Sequence, residues 1–280
     1  MKPKQLITLG ITFAAALLNC SADLSTNFFD GTFDLSQWTT TRIDGFGGTV
    51  STAQVATGGN PGFYLRVNHN NFDDYMVDIS LRSDAVYSPS NIPNALIDYS
   101  IDEAAIEILN GIGIAAAVAL RQNGTNYFGP AFINSYPVWQ TFSGGNLSAS
   151  DFTTYVHEVI AGPNHPDFSA GGSPIQFGLL TLNNNGGIFG SRAAGFDNWS
   201  VIVHQAPTIT NPIVLGSGQL QMQLLTTVGH SDTLQASADL VQWVTILTTN
   251  NVRTNVVVLL DPNSVTNFAQ RFFRVMDSVP

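Results

Sequence analysis

The 280-residue sequence contains almost no cysteine or lysine. Its one cysteine is Cys20, and its two lysines are Lys2 and Lys4. If the first 22 residues are removed on export, the remaining chain has neither a disulfide nor a thiolate metal site. Its stability must then come from packing alone.

Positive charge is scarce as well. Beyond Lys4, eight arginines stand against twenty acidic residues, which gives the chain without its first 22 residues a net charge of −12. A surface this acidic repels phosphate backbones and anionic lipids. We therefore expect no nucleic-acid partner, whereas divalent cations and neutral polymers remain suitable ligands.

The N-terminal apolar run, Leu6 to Leu18, is shorter than the roughly 20 residues that a membrane-spanning helix needs. Lys2 and Lys4 precede this run, and small residues at positions 20–22 follow it, which is the layout of a secretory signal peptide. We expect residues 1–22 to be removed, the mature chain to have no transmembrane segment, and the protein to be secreted or held at the cell surface.

A second cleavage route stays open. Leu17-Leu18-Asn19-Cys20 resembles a bacterial lipobox, in which the cysteine is lipidated and becomes the new N-terminus. Asn19 departs from that pattern, since Gly, Ala or Ser is preferred there. The alternative to a freely secreted protein is thus a lipoprotein anchored through Cys20.

Short apolar stretches separated by turn signals recur from Leu24 to Val203. Residues 63–67 follow the turn Gly58-Gly59-Asn60-Pro61-Gly62, and residues 175–182 precede the turn 183–187. Only 11% of the residues are charged, while glycine and proline are abundant. These features predict antiparallel strands in a sandwich or jelly roll and not a βαβ fold.

One segment is ambiguous. Residues 96–102 alternate like a strand, whereas Ser100-Ile101-Asp102-Glu103 has the spacing of a helix capping box that residues 104–109 could continue. We predict a strand over 96–102 and leave 103–110 open.

A second module begins after the predicted closing strand 195–204 and Pro207. In Gln219–Leu224, apolar residues alternate with glutamines, so Leu220, Met222 and Leu224 should share one face of a strand. We predict further strands at 233–237, 243–247, 256–260 and 271–275. The expected organisation is a signal peptide over 1–22, a jelly roll over 23–205 and a small β-sandwich of fibronectin type III size over 206–280.

Two resemblances support this division. The N-terminal part resembles concanavalin A-like (laminin G-like) jelly rolls of secreted bacterial proteins, through Phe29 to Asp34 with Trp38, the turn 58–62, residues 119–125, and Phe177-Gly178 with Phe196 to Trp199. The tail, through residues 234–243 and 270–275, is similar to a C-terminal β-sandwich module common in secreted proteins of Verrucomicrobia and related bacteria. The first resemblance implies an all-β jelly roll, and the second implies no particular chemistry.

Some jelly rolls of this kind are glucanases with a Glu-x-Asp-x-Glu strand. Glu103 and Glu107 have the outer spacing of that motif and are the candidate catalytic residues, but Ala105 stands at the central acidic position. Retaining hydrolysis needs two carboxyls about 5–5.5 Å apart. Asp98 and Asp102 would also share a strand face, although such acids on sandwich edges are usually solvated.

Calcium is the candidate ion. Asp30 follows the first predicted strand and Asp197 lies in the last, and in many carbohydrate-binding sandwiches these two ends lie side by side and share a structural calcium. Asp73 and Asp74 form a second candidate loop site. The alternative is that these side chains cap turns through their own backbone.

A sugar site would combine an aromatic platform with amide or charged hydrogen-bonding groups. We expect it around one pair of loops, while Trp38, Trp199 and Trp243 should belong to cores. The candidate ligand-binding residues are Arg121, Gln122, Asn126, Tyr127, Phe128, Tyr136 and Trp139.

No nucleophile elbow, zincin helix or phosphate-binding glycine loop occurs in the sequence. Its five histidines, at positions 69, 157, 165, 204 and 230, never pair at metal-ligand spacing, and His204 is interpreted as a strand-end residue. We predict a non-catalytic protein that binds an extracellular polysaccharide or another cell-surface polymer. Two alternatives stay open: a glycoside hydrolase or polysaccharide lyase on the same scaffold, and a structural envelope or adhesion protein with no soluble ligand.

Overall fold

The structure, a computed structural model, describes residues 25–45, 47–71, 75–155, 164–184, 189–250, 256–264, 267–268 and 270–278. The described chain is almost entirely β-strand, as predicted from its turn-rich composition. Helical structure in the described residues is limited to short 3₁₀ segments, among them Ala149–Asp151. Within these residues no helix is long and apolar enough to cross a membrane.

The strands up to residue 204 form the N-terminal sandwich, two antiparallel sheets of six strands each. The first sheet contains β1 (Ser25–Asp30), β3 (Thr49–Gly59), β4 (Gly62–Asn71), β6 (Leu96–Glu107), β9 (Gln140–Leu147) and β12 (Gly190–His204). The second sheet contains β2 (Trp38–Asp44), β5 (Tyr75–Tyr87), β7 (Ala115–Gln122), β8 (Thr125–Ile133), β10 (Thr153–Thr154) and β11 (Ile175–Asn184). This architecture confirms the all-β jelly-roll prediction.

The main core lies between the two sheets. Leu65, Ile97 and Val201 point into it from the first sheet, and Leu120 and Phe177 from the second. Trp38 and Trp199 meet edge to face in the same core, with ring centroids 5.2 Å apart, as expected for these two residues. Burial of one such side chain contributes about 1.5–3 kcal/mol. Since apolar side chains fill most of the space between the sheets, the outer face of the first sheet is free to carry polar ones.

The ambiguous segment belongs to a strand. β6 continues through Glu107, and a tight turn follows in which Leu109 and Ile112 form an isolated bridge. The alternative of a capped helix over 100–109 is therefore wrong. Pairing of β6 with both β9 and β12 outweighs the local capping signal, since a central strand gains two ladders of backbone hydrogen bonds.

The strands after residue 207 form the C-terminal sandwich, with two sheets of three strands. They are β13 (Thr208–Val214), β14 (Gln219–Leu225), β15 (Ser231–Ser237), β16 (Val244–Asn250), β17 (Val256–Ser264) and β18 (Phe272–Ser278). Met222 and Leu224 are buried in its core with Leu220 packed against them, as the alternation of β14 predicted. Trp243 is not in this core: it is half-buried, with the Arg274 guanidinium 4.2 Å from its ring centroid.

Candidate functional site

Strand register places rows of polar side chains on the outer face of the first sheet. Ser100 on β6 pairs with Ser143 on β9 and with Ser200 on β12, so three hydroxyls follow one another across three strands. The next row holds Asp102, paired with Thr141 on one side and with Asp197 on the other. The predicted alternation of β6, with Asp98 and Asp102 on one face, fits this register.

A hydrogen-bonded cluster stands at the end of these rows. Asp102 accepts hydrogen bonds from Asn60 Nδ2 at 3.0 Å, Asn198 Nδ2 at 2.7 Å and Thr141 Oγ1 at 2.6 Å. Asp197 accepts backbone N–H bonds from Asn60 and Asn198. The hairpin tip between β3 and β4 is thereby fixed to the middle of the sheet.

A β-bulge in β12 directs Asn198 into this cluster. The register with β6 shifts between Asp197 and Ser200, and Asn198 has a positive φ of 50°. Asparagine tolerates this left-handed conformation better than most residues. The extra residue turns Trp199 into the core and lets the Asn198 amide reach Asp102. β-Bulges near binding sites commonly redirect a side chain in this way.

Two aromatic rings border the cluster. Tyr64 and Trp139 meet edge to face with centroids 5.5 Å apart, and Trp139 Nε1 donates a hydrogen bond to the Gly58 carbonyl at 3.0 Å. Both rings lie against Gly195, where an added Cβ would stand 2.9 Å from Trp139 and 3.0 Å from Tyr64. Tyr64 is buried, whereas Trp139 remains partly exposed. Trp139 can therefore offer an apolar surface to a ligand.

Glu103 holds the segment that carries Trp139. The Glu103 carboxylate accepts a hydrogen bond from Asn134 N at 3.0 Å, and Asn134 Nδ2 donates to the Glu103 carbonyl at 2.7 Å. Asn134 also bonds the Val138 carbonyl and the Tyr136 N–H, which closes the loop. Burial raises the pKa of Glu103 to about 8, against the effect of the Asn134 hydrogen bond, so this carboxyl is largely protonated at neutral pH.

A groove lies along the serine row. Its volume is 480 Å³, within the range of small-molecule sites. Ser100, Ser143, Ser200 and Asp98 line it together with the backbone of Gly144 and Gly145. Trp139 is four residues from Ser143, a distance of about 13 Å along a strand. An extended polar ligand can thus contact the aromatic pair and the serine row at once.

Burial also raises the pKa of Asp197, with further contributions from the nearby charges of Asp102 and Asp30. The two backbone N–H donors oppose this shift but do not cancel it. Asp197 therefore binds a proton more readily than an isolated aspartate would, and the negative charge of the site suits cationic or hydroxyl-rich ligands better than anions.

The two candidate catalytic carboxyls are not brought together. Glu103 is fully buried against Asn134, whereas Glu107 is exposed and accepts a hydrogen bond from Ser191 Oγ at 2.5 Å. The register between β6 and β12 shifts between Ala193 and Ala194, and this irregularity breaks the simple alternation that would have given both side chains one face. Their predicted spacing therefore does not produce a shared active site.

The predicted sugar platform divides between two places. Arg121 and Asn126 bond each other across the β7–β8 hairpin of the second sheet, while Trp139 precedes β9 of the first sheet. The chain crosses between the sheets after β8, which separates these groups. Gln122 bonds the backbone of residues 167 and 173, Tyr127 and Phe128 are buried, and Tyr136 is 66% exposed beside Trp139.

The predicted calcium pair lies side by side, since Asp30 pairs with Trp199, two residues from Asp197. The oxygens of Asp30, however, already accept hydrogen bonds from Thr32, Phe33 and the Trp38 indole. Burial opposes ionisation of Asp30, but these donors outweigh it and lower its pKa. In this conformation the residues fit calcium poorly, because a cation would have to displace these donors. Calcium here stays a prediction, and the candidates Asp73 and Asp74 lie outside the described residues.

Sequence reasoning missed several residues of the site: Asn60, Tyr64, Asn198, Ser143 and Ser200. In the sequence, Asn60 is part of a predicted turn and Asn198 is part of the predicted closing strand, and neither pattern indicates a binding role. Their meeting depends on a contact between positions 138 residues apart. The alternation of residues 96–102 was the one available signal, because it placed Asp98, Ser100 and Asp102 on one face.

Comparisons with known proteins give weak likenesses. No protein-family model matches the sequence, and no curated protein is similar to it. A β-1,2-glucanase from Parabacteroides distasonis is 10% identical with a TM-score of 0.36; the match covers 90% of this chain and 35% of that enzyme. The chain thus spans about a third of the glucanase.

Two carbohydrate-binding modules are also similar in structure. The CBM22-1 xylan-binding domain of Paenibacillus barcinonensis Xyn10C is 16% identical with a TM-score of 0.33, covering 66% of this chain and 96% of that domain. TmCBM27, a module that recognises mannan, is 10% identical with a TM-score of 0.33, covering 63% of this chain and 98% of the module. At these values the comparisons assign neither a family nor a ligand to the chain.

Proposed function

We propose that this protein is a non-catalytic binder of a neutral polysaccharide, exported to the cell surface or the medium. The supporting observation is the partly exposed Trp139 ring beside a continuous row of hydroxyl and carboxylate groups on the outer face of the first sheet. A sugar ring has an apolar face and a polar rim. Trp139 would pack against the apolar face, and the serine row would bond the rim.

The C-terminal sandwich would act as a spacer or docking unit. Its resemblance to a module of secreted proteins fits that role, and Leu240, Val241 and Val244 are exposed on it. Calcium is not needed for this proposal, because the groove is formed by side chains and backbone alone.

Affinity electrophoresis against a panel of soluble neutral polysaccharides tests the proposal. We expect at least one polymer to retard the protein, and Trp139→Ala to weaken binding by about tenfold or more, as for an aromatic anchor. Trp243→Ala is the matched control, because that indole is also half-buried but lies on the C-terminal sandwich. Undiminished binding in Trp139→Ala, or no retardation by any polymer, would contradict the proposal.

A further inference from the structure

A cluster of two histidines and two aspartates joins the two sandwiches. Asp98 of β6 and His204, the last residue of β12, come from the N-terminal sandwich. His230, from the turn before β15, and Asp277 of β18 come from the C-terminal sandwich. Asp98, His204 and His230 are only 4%, 0% and 5% exposed. We call these four residues the junction cluster.

Three side chains of the junction cluster converge. His204 Nε2 lies 3.2 Å from Asp98 Oδ1, and His230 Nε2 lies 3.4 Å from Asp98 Oδ2. One ligand atom from each residue lies within 4.8 Å of the others. In a tetrahedral zinc site with bonds of about 2.0–2.1 Å, ligand atoms stand about 3.3 Å apart. The two histidine–Asp98 distances match this value, and the three ligand atoms are close enough together to bind one ion after small side-chain adjustments.

The other ring nitrogen of each histidine, Nδ1, contacts groups other than Asp98. His230 Nδ1 lies 2.8 and 3.0 Å from the two oxygens of Asp277, and His204 Nδ1 lies 3.3 Å from the Gln205 carbonyl and from Thr227 Oγ1. A carboxylate can only accept, so Nδ1 of His230 donates to Asp277, and Nε2 of each ring is the nitrogen that faces Asp98. A carboxylate that orients a metal-binding histidine in this way is a common arrangement.

Asp98 is the point on which both rings converge. Without a metal, protons would occupy these contacts, since His204 Nε2 and His230 Nε2 each pair with an oxygen of Asp98, at 3.2 and 3.4 Å. A metal ion that displaced these protons would bind the same three side chains, because metal binding to histidine releases protons.

Charge leads to the same conclusion. Two buried carboxylates with neutral imidazoles leave two uncompensated negative charges, which a divalent ion balances.

We propose that Asp98, His204 and His230 bind a zinc-class divalent transition metal, that Asp277 orients His230, and that the ion clamps the two sandwiches together. Two imidazole ligands favour zinc-class ions over calcium or magnesium, which prefer oxygen. A cavity of 280 Å³, lined by Asp98, His230 and Gly229 among others, borders the junction cluster and leaves room for a solvent ligand.

Metal binding by the full-length protein tests the proposal, with Co²⁺ and Zn²⁺ as the probes. After chelation and dialysis we expect about one equivalent of Zn²⁺ to bind, and Co²⁺ to give the visible absorption of a tetrahedral site. His204→Gln and His230→Gln should abolish stoichiometric binding. Asp277→Asn, which keeps all three ligands, should weaken it by about 10–100-fold.

The control is His165→Gln, since His165 is an exposed histidine of the N-terminal sandwich that bonds a backbone carbonyl. Circular dichroism confirms that each variant is folded. Should His204→Gln be unfolded, Asp277→Asn still decides the question. No stoichiometric Zn²⁺ binding in the unmodified protein, or equal affinity in Asp277→Asn, would overturn the site, as would loss of binding in His165→Gln.

Limited proteolysis within residues 204–208 tests the clamp. We expect Zn²⁺ to slow cleavage of the unmodified protein several-fold and to have no effect on His230→Gln. If Zn²⁺ binds but cleavage is unchanged, the site exists without clamping the sandwiches, and that half of the proposal fails.

Discussion

At the scale of single residues, Glu103 supports the loop that presents Trp139. It is fully buried, and its carboxyl and carbonyl oxygens both bond Asn134. Burial of a charged carboxyl in the middle of a strand costs free energy of folding. Protonation at neutral pH removes most of that cost while the acceptor oxygen stays in place.

This arrangement predicts a pH dependence of stability. Because the pKa of Glu103 is about 8 in the folded state and near 4.5 when unfolded, the folded state binds more protons between these values. The contribution of Glu103 is therefore complete below about pH 4.5 and is lost as pH rises through about 8, with a change of the order of a few kcal/mol.

Glu103→Gln, which cannot ionise, should flatten the pH dependence of the free energy of unfolding between these limits. Urea denaturation at several pH values measures the difference between the two proteins. Glu107→Gln is the control, since Glu107 is exposed and should leave the curve unchanged. Parallel curves for Glu103→Gln and the unmodified protein would contradict the assigned pKa shift.

At the scale of elements, β12 positions the aromatic pair through one glycine. Gly195 lies beneath the Tyr64 and Trp139 rings, and no side chain fits between them and the strand. The missing side chain lets both rings approach the strand closely, two residues from Asp197.

Gly195→Ala should therefore displace the aromatic pair. We expect a loss of about 1–3 kcal/mol of stability from overpacking, and weaker polysaccharide binding. Thermal denaturation and affinity electrophoresis measure the two effects. Gly171→Ala is the control, because only Ser169 Oγ lies near the added Cβ, at 3.9 Å. A Gly195→Ala protein with unchanged stability and binding would show that the rings are free to move aside.

The elements differ in how far the sequence predicted them. The alternation in β14 and the apolar runs of β4 and β11 predicted strands correctly, because local patterning follows from which face is buried. The helix–strand ambiguity at 103–110 could not be resolved in this way, since pairing with distant strands decides it. The candidate sugar-binding residues are divided for a similar reason: Arg121 lies in the second sheet, whereas Trp139 leads into a strand of the first.

At the scale of the whole molecule, the deficit of basic residues limits the partners. The excess of acidic residues disfavours polyanions, and the proposed site offers hydroxyls and an indole, whose contacts are short-ranged.

Binding should therefore depend little on salt. Between about 0.05 and 0.5 M NaCl we expect the Kd for a neutral polysaccharide to change by less than about threefold, because few ion pairs are available to be screened. Isothermal titration calorimetry at both salt concentrations measures this. A steep loss of affinity with salt, or a preference for an acidic polymer such as a uronate, would identify a charged ligand instead.

A single strand, β12, carries both Asp197 of the groove and His204 of the junction cluster, about 23 Å apart along its backbone. Tension applied through a captured polymer would travel along one extended segment of main chain and not across side-chain contacts. The C-terminal sandwich would then receive this force at His204, where the metal binds both sandwiches. The arrangement of the site residues would therefore change little under tension.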